Sequence, residues 1–359
     1  MRCKCCPHPD DKRVKILCNR SHWSAFDDAM NFSISKQLLL LAFALLTTCV
    51  SAQGPFIGRL RERIAERREA DAVELSYGKD PLQKLDYWKP AKVGSPLVIF
   101  VHGGGWKRGD KKNATGEEKP GHYLQQGYAF ASINYRLVPA ATVEQQAQDV
   151  ADAIAHLIGR TELLGFDATR IVLMGHSAGA HLSALVGTSG GKKAFPPIGG
   201  HLDQSDRVQA VIDIYGPADF TTVVQQAAED KNVKNIFAFN TPSDPYSSLI
   251  GTQLDDKPKA DAVSPVHYVS KDNPPFLILH GTHDTLVPYA QSVQLEAALK
   301  AQNIPVWLQT LPGAGHGGPA FGKPAVIQLM QTFFDKHLKG TDVEIKLVPE
   351  SELALPASK

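Results

Sequence analysis

The chain has 359 residues, 43% of them hydrophobic and 21% charged, with 38 Lys plus Arg against 37 Asp plus Glu. That globular balance excludes wholesale disorder, a collagen-like repeat and a multi-span membrane protein. A formal net charge of +1 leaves no electrostatic footprint for nucleic acid, and a chain of this length can bury its core without disulfides.

All five cysteines fall at or before Cys49, so the body of the chain has no cysteine for a disulfide, a zinc site or a nucleophile. Cys3, Cys5, Cys6 and His8 lack the paired spacing of a structural zinc site, and no metal or other cofactor is expected. Lys36, the apolar run Leu38 to Leu46 and the small residues Val50-Ser51-Ala52 have the layout of a secretory signal peptide, with cleavage after Ala52. The run is shorter than the roughly 20 apolar residues of a membrane span, so no stable insertion is expected after processing. Residues 1–29 do not suit a place in front of such a leader, which points to Met30 as the true start. The expected location is the periplasm or the medium. Leu46-Thr47-Thr48-Cys49 is a poor acylation box, so a lipid anchor on Cys49 is the lesser alternative.

Residues 53–72 read as a charged helix with a narrow stripe at Ile57, Leu60 and Ile64. The main body is 73–340, with a tail at 341–359. Val73 to Tyr77 and Leu85 to Trp88 read as strands joined by a turn at Gly78-Lys79-Asp80-Pro81. Buried strands are predicted at 97–101, 129–133, 171–174, 210–214, 276–279 and 306–308. Helices are predicted at 142–159, 178–186, 288–301 and 324–338. This alternation means an α/β chain: a mostly parallel sheet, an antiparallel edge, and helices on both faces. Residues 187–207 read as a long loop, and 217–272 as a small inserted cap that helps shape the pocket.

Gly175-His176-Ser177-Ala178-Gly179 is a G-x-S-x-G motif between a strand and a helix of small residues, the context of a nucleophile elbow. His102-Gly103-Gly104-Gly105-Trp106 follows a buried strand, and its glycines leave backbone amides uncovered. Together with the amide of Ala178 they are candidate oxyanion donors. His102 is expected to orient that loop. His316, in the glycine loop 313–318 after the last strand, is the candidate base. Asp284 is the candidate orienting acid, because Ser177, Asp284 and His316 then occur in the order Ser…Asp…His; Asp219, one strand earlier, is the rival. His176 is expected to turn away from the reacting centre. His181, Asp149 and Asp213 read as structural, and Trp106, Tyr215 and Phe220 as pocket walls.

Taken in order, HGGGW, Asn134-Tyr135-Arg136-Leu137, GHSAG, Tyr215-Gly216-Pro217, Ser264-Pro265, HGTHDTLVP and GAGHGG resemble the α/β-hydrolase esterases of the hormone-sensitive-lipase-like and bacterial feruloyl-esterase-like groups. The resemblance covers roughly residues 73–338. It implies a Ser177-Asp284-His316 triad, an oxyanion hole at Gly104, Gly105 and Ala178, and cleavage of short or aromatic acyl esters, often on carbohydrates. Arg136-Leu137 is followed by Val138-Pro139-Ala140 without the acidic residue of the lipase-like pattern, which favours carbohydrate-type esters. Two other readings stay open. One is an amidase or peptidase on the same triad, as in kynurenine-formamidase-like and prolyl-oligopeptidase-like proteins. The other is a non-catalytic carbohydrate-binding homologue.

Overall fold

The computed structural model describes residues 72–113, 119–190, 194–195, 203–234 and 256–353. The leader, the candidate start at Met30 and the charged helix up to residue 71 lie outside the described residues.

Eight strands form one sheet: β1 (Val73–Ser76), β2 (Lys84–Trp88), β3 (Ser95–Val101), β4 (Ala129–Ile133), β5 (Phe166–His176), β6 (Ala210–Ile214), β7 (Phe276–Gly281) and β8 (Val306–Leu311). Their spatial order is β1-β2-β4-β3-β5-β6-β7-β8. β1 and β2 pair antiparallel, β2 pairs antiparallel with β4, and every later pair is parallel. The described helices are α1 (Pro120–Gln125), α2 (Val143–Ile158), α3 (Thr161–Leu164), α4 (Ala178–Ser189), α5 (Val223–Glu229), α6 (Lys257–Ala262), α7 (Tyr289–Ala301), α8 (Pro324–Lys339) and α9 (Glu350–Leu353).

The two-residue period of each strand divides the core between two faces. On β3, Leu97, Ile99 and Val101 join Leu173 of β5 and Ile278 of β7 against α2, α4 and α7. The alternate residues Val98 and Phe100 join Met174, Ile212 and Leu279 against α1 and α8. β3 is buried along its whole length because it is covered on both sides, as its continuous apolar run requires. Each fully buried aliphatic side chain adds about 1.5–3 kcal/mol.

Local chemistry sets the helix ends. Thr142 and Gln145 form a reciprocal capping box at the start of α2. α8 begins at Pro324 and stops at Gly340, whose φ of 66° closes the helix. α4 is buried on all sides, and its small residues let it approach the sheet: a Cβ on Gly187 would press into Val211.

Predicted and observed strands agree closely, but β5 is longer than its apolar core. It begins at Phe166 because Ser95 of β3 pairs there across an irregular register. α1, only six residues long, carries too little periodicity to be seen in the sequence. Of the predicted insertion 217–272, the described parts hold α5, α6 and a 3-10 turn at Pro265–Tyr268. The segment that follows β6 is tied to this turn by Phe220 N–H donating to Ser264 Oγ (2.9 Å) and Val266 N–H to Ala218 O (3.3 Å).

Candidate active site

Ser177 stands between β5 and α4 with φ 54° and ψ −120°. This strained backbone is possible because both flanking glycines are in closest contact. A Cβ on Gly179 would collide with the carbonyls of Val101 and His102, and one on Gly175 with the backbone of Gly179 itself. Ser177 N–H donates to Ile214 O (2.9 Å), which ties the bend to the neighbouring strand.

The loop after β7 brings Asp284 and the loop after β8 brings His316. His316 Nε2 lies 2.8 Å from Ser177 Oγ, and its Nδ1 lies 2.7 Å from Asp284 Oδ2. Nδ1 faces a carboxylate, so it carries the proton, and Nε2 accepts from the Ser177 hydroxyl. The two loops are stitched together: Thr282 N–H donates to Leu311 O (3.1 Å), His283 N–H to Ala314 O (2.9 Å) and Gly313 N–H to Thr282 Oγ1 (2.9 Å).

The Asp284 carboxylate is buried and saturated. Oδ1 accepts from the amides of Leu286 (2.8 Å) and Val287 (2.9 Å). Oδ2 faces both His316 and the wholly buried His280, whose Nε2 is 3.2 Å away. Burial alone would raise this carboxyl, but hydrogen bonds from His280 and His316, together with their charge, hold it well below the usual carboxylate range. Asp219, the rival acid, is engaged elsewhere: its Oδ1 accepts from Thr221 N–H (2.8 Å) and its own N–H donates to Gln291 Oε1 (2.8 Å).

A cavity of about 840 Å³ opens over Ser177 and His316. One wall is the loop after β3, from Gly103 to Gly109 plus Asn113; facing residues include Tyr215, Leu286 and Val287. Gly104 and Gly105 line it at φ 124° and 60°. The Gly104 carbonyl accepts from the amides of Lys107 (3.3 Å) and Arg108 (3.2 Å), making a tight turn. Ala178 is the first residue of α4, so its N–H has no acceptor within the helix. Among the described residues four non-glycines have positive φ, and three of them, Trp106 (60°), Ser177 (54°) and Tyr215 (51°), line this cavity.

His102 is buried behind the glycine loop: its Nδ1 is 2.8 Å from Gly103 O and its ring stacks on Tyr135 at 4.4 Å. The loop is anchored further down, where buried Lys111 pairs with Asp86 (2.6 Å) and Glu74 (3.1 Å). Asn134 also takes the Lys111 amide and donates to Asp110 (3.0 Å).

Two expectations need correction. Phe220 is not a cavity wall. It is buried one layer back, 6.0 Å from Trp106 and 4.9 Å from His181, because Trp106 occupies the front position. His176 does not turn away from the site: it lines the cavity beside Ser177, edge-on to Phe100 at 5.4 Å. The described residues of 187–207 and 217–272 do not line the cavity, and the remainder of both segments, 191–193, 196–202 and 235–255, lies outside the described residues. His181 is structural as expected. It accepts from Trp106 Nε1 (3.1 Å) at Nδ1 and reaches Val263 O (2.8 Å) at Nε2. Burial, partly offset by that carbonyl, brings its pKa down to about 4, so it is a neutral connector.

The architecture and the strand-end placement of these residues define the α/β-hydrolase fold. The BD-FAE family model matches residues 85–299, more than half of the chain, and the protein belongs to that family. Esterase LipC of Mycobacterium tuberculosis is 32% identical over 273 residues, which cover 73% of this chain and 62% of LipC. The probable carboxylic ester hydrolase LipM of the same organism is 31% identical over 242 residues, covering 66% and 53%. The chain thus spans less than two thirds of the length of these curated relatives. A truncated form of a carbohydrate esterase from gut microbiota superimposes with a TM-score of 0.66 at 28% identity, covering 74% of this chain and 96% of its own.

Proposed function

We propose that this protein is a serine carboxylic ester hydrolase acting on short or aromatic acyl esters, including esters of carbohydrates. The observation that carries the reading is the unbroken line from Ser177 Oγ through His316 to the Asp284 carboxylate, at 2.8 and 2.7 Å. Relatives named as esterases, and a truncated form of a carbohydrate esterase that is matched across nearly all of its chain, support the substrate class. A cavity of about 840 Å³ suits a monosaccharide-sized or aromatic ester.

In this mechanism Ser177 attacks the ester carbonyl as its proton passes to His316 Nε2. Asp284 holds the imidazole with Nδ1 protonated and stabilises the imidazolium that forms. The amides of Gly104, Gly105 and Ala178 receive the oxyanion, a contribution of ~10²–10³ in rate per donor. His316 returns the proton to the departing alcohol, leaving the acyl group on Ser177. Water then attacks the acyl-enzyme, giving its proton to His316, which passes it back to Ser177. Ser177→Ala should lower kcat/KM on a short p-nitrophenyl ester by ~10³ or more and abolish labelling by a fluorophosphonate. Full activity in that variant overturns the mechanism.

The leader-like stretch 36–52 supports export as the working location. A precursor that is neither shortened nor found outside the cytoplasm on fractionation excludes it.

A further inference from the structure

The cavity is asymmetric in charge. The wall that follows β3 carries Lys107 and Arg108, both exposed, and no Asp or Glu is among the described residues that line the cavity. The facing wall is apolar at Leu286, Val287 and Tyr215. Asn113, on the basic wall, uses its Oδ1 to accept the Asp110 amide (2.5 Å), which leaves its Nδ2 donors for the cavity. The basic wall belongs to the same loop as Gly104 and Gly105, so Lys107, Arg108 and the reacting serine line one space.

We propose that the substrate is an anionic ester: a molecule with a carboxylate near the ester bond, held by Arg108 with help from Lys107 and Asn113. This deepens the serine-esterase reading and rests on it. A guanidinium offers a planar fork that matches a carboxylate at two points, whereas an ammonium acts as a point charge. Arg108 is therefore the specificity residue and Lys107 the attracting charge. A cleft of one sign concentrates opposite charge, and the low-dielectric apolar wall opposite strengthens the field. The strained turn at Gly104-Gly105-Trp106 fixes where Arg108 starts, because the Gly104 carbonyl accepts the Arg108 amide.

The test uses two matched pairs of substrates. On the alcohol side, acetylated methyl glucuronoside is compared with acetylated methyl glucoside. On the acyl side, mono-p-nitrophenyl adipate is compared with p-nitrophenyl hexanoate. In at least one pair the wild-type enzyme should favour the anionic member in kcat/KM by ~10-fold at low salt, and added salt should shrink that ratio. Arg108→Gln should bring the ratio toward 1, and Arg108→Glu should invert it; Lys107→Gln should lower it less. Ratios near 1 in both pairs, or ratios that survive Arg108→Glu, overturn the proposal while hydrolysis of the neutral esters leaves the serine-esterase reading standing. If the wild-type enzyme cleaves none of the four esters and takes no fluorophosphonate, the underlying reading fails and this proposal fails with it.

Discussion

His280 and His316 converge on one oxygen, Asp284 Oδ2, at 3.2 and 2.7 Å. His280 is fully buried at the end of β7, and its Nε2 also faces Val287 O at 3.2 Å. Two acceptors at Nε2 require a proton there, so His280 donates to the carboxylate. Its Nδ1 meets Ser292 Oγ on α7 at 2.6 Å, which locks the ring. The carboxylate that orients His316 is thus itself oriented by a second imidazole.

His280→Asn should therefore act on turnover more than on binding. We expect kcat to fall by ~10-fold or more with KM within about twofold, since a small displacement of the acid misplaces the base. Ser292→Ala, which touches only the far nitrogen, should do less. Steady-state kinetics on one p-nitrophenyl ester compares the two. Equal loss in KM and kcat, or no loss, excludes this positioning role.

The strain at Ser177 separates activity from stability. Its φ of 54° and ψ of −120° suit glycine, and such strain costs about 1–3 kcal/mol. Ser177→Gly and Ser177→Ala should both be inactive, yet the glycine variant should melt higher than the alanine one, by roughly 2–4 °C per kcal/mol relieved. Differential scanning calorimetry of the pair decides the point. Equal melting temperatures show that the surrounding structure relaxes around the bend.

Glycines that look alike in the sequence differ in consequence. Gly179→Ala drives a methyl into the Val101 and His102 carbonyls, at the close contact between α4 and β3. Neither backbone can yield without breaking the core, so soluble expression should collapse. At Gly313, with φ 72° and nothing within 4 Å, alanine meets only backbone strain, about 1 kcal/mol. Chemical denaturation of Gly313→Ala should show a modest drop in midpoint. A stable Gly179→Ala protein disproves the close-contact account.

Asp213 makes stability depend on pH in an unusual direction. It is fully buried on β6, its Oδ1 accepts from Gly216 N–H (2.8 Å), and its Oδ2 has no hydrogen-bond partner among the described residues. Burial pushes its pKa up to about 6, against the opposing effects of the Gly216 amide and the His280 charge. The unfolded value is about 3.9. Between these values the native state holds the proton that the unfolded chain has lost, so this group's contribution falls as pH rises and its full cost is present above about 6. Asp213→Asn removes the charge. The difference in melting temperature, variant minus wild type, should be several degrees more favourable at pH 8 than at pH 4.5. A difference that is flat with pH means that Asp213 is not the titrating group.

Several features were legible because they depend on local rules. The continuous apolar run Leu97 to Val101 and the flanking glycines of GHSAG speak for themselves, since a buried strand and a crowded bend each tolerate few residue types. The order of Ser177, Asp284 and His316 was readable once strands were counted. His280 was not singled out, although a histidine four residues before the acid was a usable signal. Lys107 and Arg108 follow the glycine run after Trp106, and their charge is a usable signal. Phe220 and His176 were misassigned because facing direction depends on how the turns after β5 and β6 are packed, which no periodicity encodes.

Taken alone, the chain's residues determined which segments could be strands, where the sharp bend must lie, and which three side chains have the chemistry to share a proton. Those properties follow from sterics and hydrophobic period over a few neighbours. Only the tertiary structure decided that side chains 139 and 32 positions apart come within hydrogen-bond reach. It also decided that a second histidine closes on Asp284 and that two cations share the serine's cavity. Parallel pairing aligns the carboxyl ends of β5, β7 and β8 at one edge, and that long-range register turns distant loops into a single site.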